Sequence, residues 1–198
     1  MQDTYLTING SAEGYYTEKR SKFYAFAHHV ETVEEVKTLQ QEYKKKYYDA
    51  RHICYAYRLG ATGEEFRAND DGEPSSTAGK PILGALLSTN ITNAVIFVIR
   101  YYGGVNLGTG GLIVAYREAS MQALEDAKER DIIEERLVEE QIVYNFSYPQ
   151  MNAVMKIVKD MEPRIIAQDF QTNCSITLSI RKTLMPQLKS RLEAIAFQ

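Results

Sequence analysis

Three segments of the 198-residue chain carry residue types at spacings that could do chemistry. The first runs from Arg67 to Pro81 and contains Asp70, Asp71, Gly72 and Glu73, then Ser75-Ser76-Thr77-Ala78-Gly79-Lys80. Three carboxylates so close together could bind a hard cation through oxygen, or supply a general base. The spacing is not that of an EF-hand, because no bidentate Glu follows at the required distance. The Ser75–Lys80 run has the residue types of a phosphate loop without its GxxxxGK order. The same residues also read as an Asp71-Gly72 turn leading into a helix N-cap. We expect loop contacts from Asp70, Asp71, Glu73 and Thr77, phosphate or RNA contacts from Arg67 and Lys80, and no resident metal or cofactor.

The second segment runs from Arg100 to Gly111 and holds Gly103, Gly104, Gly108, Gly110 and Gly111. It leaves an apolar strand and is read as entering a helix at Leu112. Glycines permit positive φ and a close approach of backbone to another group. Free N–H groups at a helix start suit an anion. No dinucleotide fingerprint is present, since GxGxxG is absent. Arg100 could pair with phosphate, and Tyr101 or Tyr102 could stack on a base. A tight strand-to-helix turn is the plainer alternative, although two glycines would suffice for it. The third segment is Asp49–Arg58. His52 and Cys54 lie two apart on a strand and so share a face. No orienting Asn or Asp can be assigned to them, and a buried strand cysteine is usually inert. We assign no catalytic residue, and read His52 as a hydrogen-bonded histidine lining a cleft beside Arg51.

These segments need elements to hold them. Tyr5–Ile8 reads as a strand ending at the Asn9-Gly10 turn, and Lys22–His29 as a strand that sends His28 and His29 to opposite faces. Thr32 and Glu35 have capping-box spacing, and Val36, Leu39, Tyr43 and Tyr47 mark the buried face of the helix they start. Lys44-Lys45-Lys46 suits that helix's C-terminal dipole. Ile53, Tyr55 and Tyr57 alternate as in a strand, residues 60–80 read as one long polar loop, and Pro81–Leu87 reads as a short helix. Ala94–Arg100 is apolar throughout, as in a strand covered on both faces. Leu112, Ala115, Tyr116, Ala119, Ala123, Leu124 and Ala127 stripe a second long helix, which ends in the charge-dense Glu125–Glu140 run. A new pattern then begins: strand 142–146, helix 148–160, strand 165–168, strand 174–180 and helix 184–195. That is the order of a split βαβ, ferredoxin-like module without its last strand. We therefore expect an α+β chain with a boundary near residue 136, dividing it into units 1–136 and 137–198. At 62 residues the second buries only about 60% of its surface, so it is expected to lean on the first unit or on a partner.

The charge is −3 overall, and splits into −4 for residues 1–136 and +1 for the rest. A mechanism resting on overall basicity is excluded. With 44% hydrophobic and 25% charged residues, the composition is that of a globular chain and excludes a disordered or collagen-like one. No apolar run approaches the roughly 20 residues of a membrane helix. Met1-Gln2-Asp3-Thr4 does not open a signal peptide. Cys54 and Cys174 form no CxxC pair, which fits reduced thiols in a cytoplasmic protein.

Four ordered motifs make the chain resemble the YigZ/IMPACT family. They are Ser21-Lys22-Phe23; Asp49-Ala50-Arg51-His52 with Cys54 and Ala56; Asn69–Pro74 with Thr77–Pro81; and Arg100–Gly104 with Leu107–Leu112. Ser76 departs from the pattern, where the family more often has Gly. The resemblance implies a two-domain α+β protein. Its N-terminal domain would be similar to domain IV of elongation factor G and to ribosomal-protein-type β/α domains. Its ferredoxin-like C-terminal domain would be similar to domain V. It implies a role in translation or RNA binding, and we expect a non-enzymatic, translation-related regulator that binds structured RNA or the ribosome, as a monomer or small homo-oligomer. The RNA-contacting residues would be Arg51, His52, Arg67, Lys80, Arg100, Tyr101 and the five glycines. One alternative is an enzyme acting on a phosphorylated small molecule or peptide through Asp70, Asp71 and Glu73. Another is a protein-interaction domain that uses the 60–80 loop. The paired-metal ligand set of a dipeptidase, a label some family members have carried, is not found in the sequence.

Overall fold

The computed structural model describes residues 3–171 and 173–197. They fall into two compact units, one of Tyr5–Arg136 and a smaller one that joins residues 3 and 4 to the chain from Leu137 onward. The larger unit contains β1 (Thr4–Ile8), β2 (Ser11–Glu18), β3 (Ser21–His29), α1 (Val33–Lys46), β4 (His52–Leu59), β5 (Glu65–Asn69), α2 (Gly79–Ser88), β6 (Ala94–Tyr101), α3 (Gly108–Glu129) and β7 (Ile133–Leu137). Five strands form one sheet in the order β2-β3-β6-β4-β5, with every neighbouring pair antiparallel. β1 pairs separately with β7, and the end residues Thr4 of β1 and Leu137 of β7 are counted with the smaller unit.

Period-2 alternation explains why the central strand reads as apolar throughout. Val95, Phe97 and Ile99 of β6 pack with Tyr43 and Val36 of α1. Ile96 and Val98 pack with Ile82 and Leu86 of α2 and with Ala115 and Tyr116 of α3. The sheet is thus covered on both faces, and β6 runs through its middle. α1 begins with the expected capping box, in which Thr32 accepts from the Glu35 N–H and Glu35 reaches back to the Thr32 N–H. His28 contacts the Tyr43 hydroxyl at 2.6 Å, whereas His29 contacts Thr7 at 3.0 Å, as opposite faces require.

The structure corrects several expectations. Residues 60–80 are not one loop, since β5 lies inside them. β2 was not anticipated: only Ala12 of its eight residues is fully buried, so it shows no apolar alternation. The charge-dense stretch after residue 129 holds β7 rather than the end of a helix. α2 begins at Gly79, not at Pro81. α3 begins at Gly108, so Gly110 and Gly111 lie inside its first turn rather than before it.

The smaller unit contains β8 (Glu139–Phe146), α4 (Met151–Met161), β9 (Arg164–Phe170), β10 (Cys174–Arg181) and α5 (Met185–Glu193). Its antiparallel strands lie in the order β8-β10-β9. This is the first-third-second order of a split βαβ module with three strands. Its core joins Ile176 and Leu178 of β10 to Val154 of α4 and Leu188 of α5. No described helix is long and apolar enough to cross a membrane.

Candidate functional site

The end of the sheet beside α3 holds a buried polar cluster. Register places His52 of β4 directly opposite Arg100 of β6, on the face that carries α2 and α3. The loop after β5 folds Glu73 onto that face. The Arg100 Nη1 donates to Glu73 Oε1 at 2.6 Å, and the Tyr116 hydroxyl donates to the same oxygen at 2.8 Å. His52 Nε2 lies 4.0 Å from Glu73 Oε2. The side chains of Glu73 and Arg100 are only 3% and 9% exposed, so each charge depends on the other for compensation. The Arg100 guanidinium also lies 5.7 Å from the Phe23 ring centroid and 5.6 Å from that of Tyr102. Such contacts suit a weakly hydrated guanidinium.

The tautomer of His52 follows from geometry. Its Nδ1 sits 2.7 Å from the Asp71 carbonyl oxygen, which can only accept. Nδ1 therefore carries the proton, and Nε2 faces Glu73 and the cleft. The Cys54 thiol lies 3.0 Å from the Asp70 carbonyl and 3.4 Å from the Tyr116 hydroxyl. Burial pushes this thiol well above its ordinary range, so it is a poor nucleophile at neutral pH. Burial likewise raises the Tyr116 hydroxyl, with Cys54 and Glu73 adding to the effect, which keeps it protonated as a donor.

The other two acidic residues hold backbone. α2 has no side-chain cap at Ala78. Asp70 replaces it from a distance: its carboxylate accepts from the N–H groups of Ser76, Ala78 and Gly79 at 2.8–3.0 Å. Asp71 accepts from the Ile53 N–H at 2.7 Å, and Thr77 donates to the Pro74 carbonyl at 2.6 Å. Burial by itself would raise the Asp70 carboxyl, but the three N–H donors and the Lys80 charge outweigh it and hold it below 3.8. A depressed folded pKa stabilises the fold above the unfolded value, and this is lost as pH falls through the folded one. We expect Asp70→Ala to lose about 1 kcal/mol at neutral pH, as removal of a helix cap does. Urea unfolding at pH 7 and pH 3 checks this, and the gap between variant and parent should narrow at the lower pH. Among the described residues, no three His, Cys, Asp or Glu side chains gather as a metal set.

The glycines divide by role. Gly103 lies against the β2–β3 turn, where an added Cβ would stand 2.1 Å from the Arg20 carbonyl carbon, and its N–H donates to Ser21 Oγ. Gly104 and Gly108 have φ of +85° and +71°, the left-handed region that favours glycine. Around Gly110 there is nothing within 4 Å of an added Cβ. α3 thus starts at an open surface, with Ile113 and Val114 41% and 51% exposed. Three clefts ring this start. One joins Glu18 and Lys19 to Gly110, Gly111 and Val114. A second, of about 260 Å³, joins Arg51, His52 and Glu73 to Tyr102 and Asn106. The third joins Lys80 to Ile113 and Arg117. Lys19, Arg51, Lys80 and Arg117 are exposed, and none forms a salt bridge among the described residues.

Residues 19–124 match the Impact N-terminal domain model. An "IMPACT family member" from Haemophilus influenzae is 33% identical over 88% of this chain and 84% of its own length. The chain belongs to the IMPACT family. Escherichia coli "IMPACT family member YigZ" is 30% identical over the same shares of the two chains. A solved structure titled "Crystal structure of an hypothetical protein" superposes with a TM-score of 0.75 at 27% identity, over 97% of this chain and 92% of that one.

In this IMPACT-family chain the structure brings some of the anticipated site residues together and separates others. Arg51, His52, Glu73, Arg100 and Asn106 line one cleft, so the acidic loop and the glycine loop converge. Arg100, however, is buried and spends its Nη1 on Glu73 inside the protein, so it is not one of the exposed cations. Tyr101 points to the opposite face of the sheet from Arg100, where its hydroxyl donates to Asp49 at 2.8 Å. Burial and Asp49 push that hydroxyl up to about 12. Arg67 lies opposite Tyr57, which packs on the α1 side, so its side chain leaves the sheet on the face away from α2, which carries Lys80. Lys19, Asn106 and Arg117 were not singled out from the sequence. Arg117 follows exposed Ile113 by four positions, so helical spacing could have found it. Lys19 sits in a turn, and nothing in the sequence places it beside α3.

Proposed function

We propose that the chain is a non-enzymatic, translation-related regulator that docks on structured RNA or the ribosome through the first turns of α3. The observation that carries this reading is the set of four exposed cations, Lys19, Arg51, Lys80 and Arg117, none in a salt bridge among the described residues, around the open start of α3. Phosphates attract such cations whatever the total charge, because the interaction is local and screened within about 10 Å. Tyr102 is 54% exposed at the same surface and can stack on an unpaired base. The resemblance of the family's domains to those of a ribosome-binding elongation factor supports the same direction. Of the candidate bases of an enzymatic reading, Asp70 and Asp71 are held by backbone N–H groups and Glu73 by Arg100 and Tyr116, which favours the docking reading.

Binding to purified ribosomes and to a structured ribosomal RNA fragment tests the proposal. The parent chain should bind both, and Lys80→Glu with Arg117→Glu should weaken binding by tenfold or more, as reversing two phosphate contacts implies. Equal binding by parent and variant overturns it.

A further inference from the structure

The cleft between His52, Glu73 and Tyr102 has features that docking on an RNA surface does not require. It is a compact recess of about 260 Å³, close to the size of one nucleotide and smaller than a duplex groove. Its floor is Arg100, a side chain 9% exposed whose Nε is buried without a hydrogen-bond partner. A buried, unpaired guanidinium N–H is costly, and each such group calls for an explanation. Glu73 occupies only Nη1, so the guanidinium retains donors for an oxyanion. At the rim stands Arg51, exposed and unpaired among the described residues. Asn106 uses its Oδ1 to accept from the Gly108 N–H, which leaves its NH2 group to donate into the recess. The Tyr102 ring lies 5.6 Å from the guanidinium and presents its exposed surface as a stacking platform.

We infer that this recess is a binding pocket for a single nucleoside phosphate, with the phosphate monoester held by Arg51 and Arg100 and the base stacked on Tyr102. The local charge fits. Two guanidiniums face one carboxylate, which leaves a net positive pocket for the dianionic phosphate. A plain carboxylate ligand would leave the aromatic platform unused. A nucleoside without phosphate would leave the Arg100 donors that Glu73 does not occupy unanswered. The ligand chemistry has two sources: a free mononucleotide, or the 5′-phosphorylated end of an RNA strand. The second source rests on the RNA-docking proposal, whereas the first stands without it.

Titration calorimetry of the full chain with AMP, adenosine and inorganic phosphate tests the pocket. Fluorescence anisotropy with one single-stranded RNA, prepared with a 5′-phosphate or a 5′-hydroxyl, separates the sources. Tyr102→Ala and Arg51→Ala remove exposed side chains, so both variants should stay folded, with at most the loss of one cation–π contact in Tyr102→Ala. AMP should bind more tightly than either adenosine or phosphate alone, and each variant should weaken it about tenfold, the worth of one base–aromatic stack or one phosphate contact. A 5′-phosphate effect on the RNA that disappears in Tyr102→Ala supports the strand end as the source. AMP binding with no such effect supports the free nucleotide. If RNA binding falls in the Lys80→Glu, Arg117→Glu variant while AMP binding persists, AMP is held by the recess rather than by the other docking cations, as the pocket requires. Absence of any binding of AMP or of the 5′-phosphate that depends on Tyr102 and Arg51 overturns the pocket, whatever the chain's affinity for structured RNA.

Discussion

Glu73→Ala is expected to destabilise the larger unit by about 3–5 kcal/mol, the range for removing one partner of a buried ion pair. The loss leaves Arg100 charged, buried and without its carboxylate, while Nε is already unpaired. It also strips the Tyr116 hydroxyl of its acceptor. The comparison with Glu73→Leu/Arg100→Leu is informative. Removing both charges together avoids the uncompensated ion, so the double variant should cost clearly less than the sum of the two single changes. Urea unfolding followed by circular dichroism reads these differences. A loss below about 1 kcal/mol for Glu73→Ala would show that the pair is as weak as a surface salt bridge.

Gly103→Ala and Gly110→Ala should change stability in opposite directions. The Gly103 Cβ would collide with backbone atoms of Arg20 and Ser21, and no flexible side chain is there to give way. Overpacking of this kind costs about 1–3 kcal/mol, or more where backbone must move. Gly110 sits in the first turn of α3 with open space around an added Cβ. Alanine there lowers the entropy of the unfolded chain and favours helix, a gain of up to about 1 kcal/mol. Thermal unfolding of the two variants distinguishes this division of roles from a loop in which every glycine serves the same approach to a ligand. In that case the two substitutions would have the same sign.

The elements legible in the sequence are those with a buried face. Val36, Leu39, Tyr43 and Tyr47 declared α1, and the unbroken apolar run of β6 declared a strand covered twice. β2, β5 and β7 escaped because they bury little. β5 is an edge strand exposed along nearly its whole length. β2 lies on the sheet edge against α3, and its Gly14 is there because a Cβ would stand 2.4 Å from the Ala119 carbonyl oxygen. Neither pattern alternates in hydrophobicity. The opposite facing of Arg100 and Tyr101 was readable, since neighbours on a strand point to opposite faces. The Glu73–Arg100 pair was not. Its partners are 27 residues apart, and only the fold of the intervening chain brings them together. The roles of Asp70 and Asp71 were hidden for a related reason. A carboxylate that caps a helix nine residues ahead leaves no capping-box spacing behind it.

The docking surface makes a prediction about ions. Four cations that neutralise about four phosphates should give a slope of log K against log salt concentration of roughly −3 to −4. The measurement is that slope for a structured ribosomal RNA fragment, taken for the parent chain and for the variant carrying Lys19→Gln, Arg51→Gln, Lys80→Gln and Arg117→Gln. The account predicts a steep slope for the parent and one near zero for the variant. A shallow parent slope, or a steep slope retained by the variant, would contradict it.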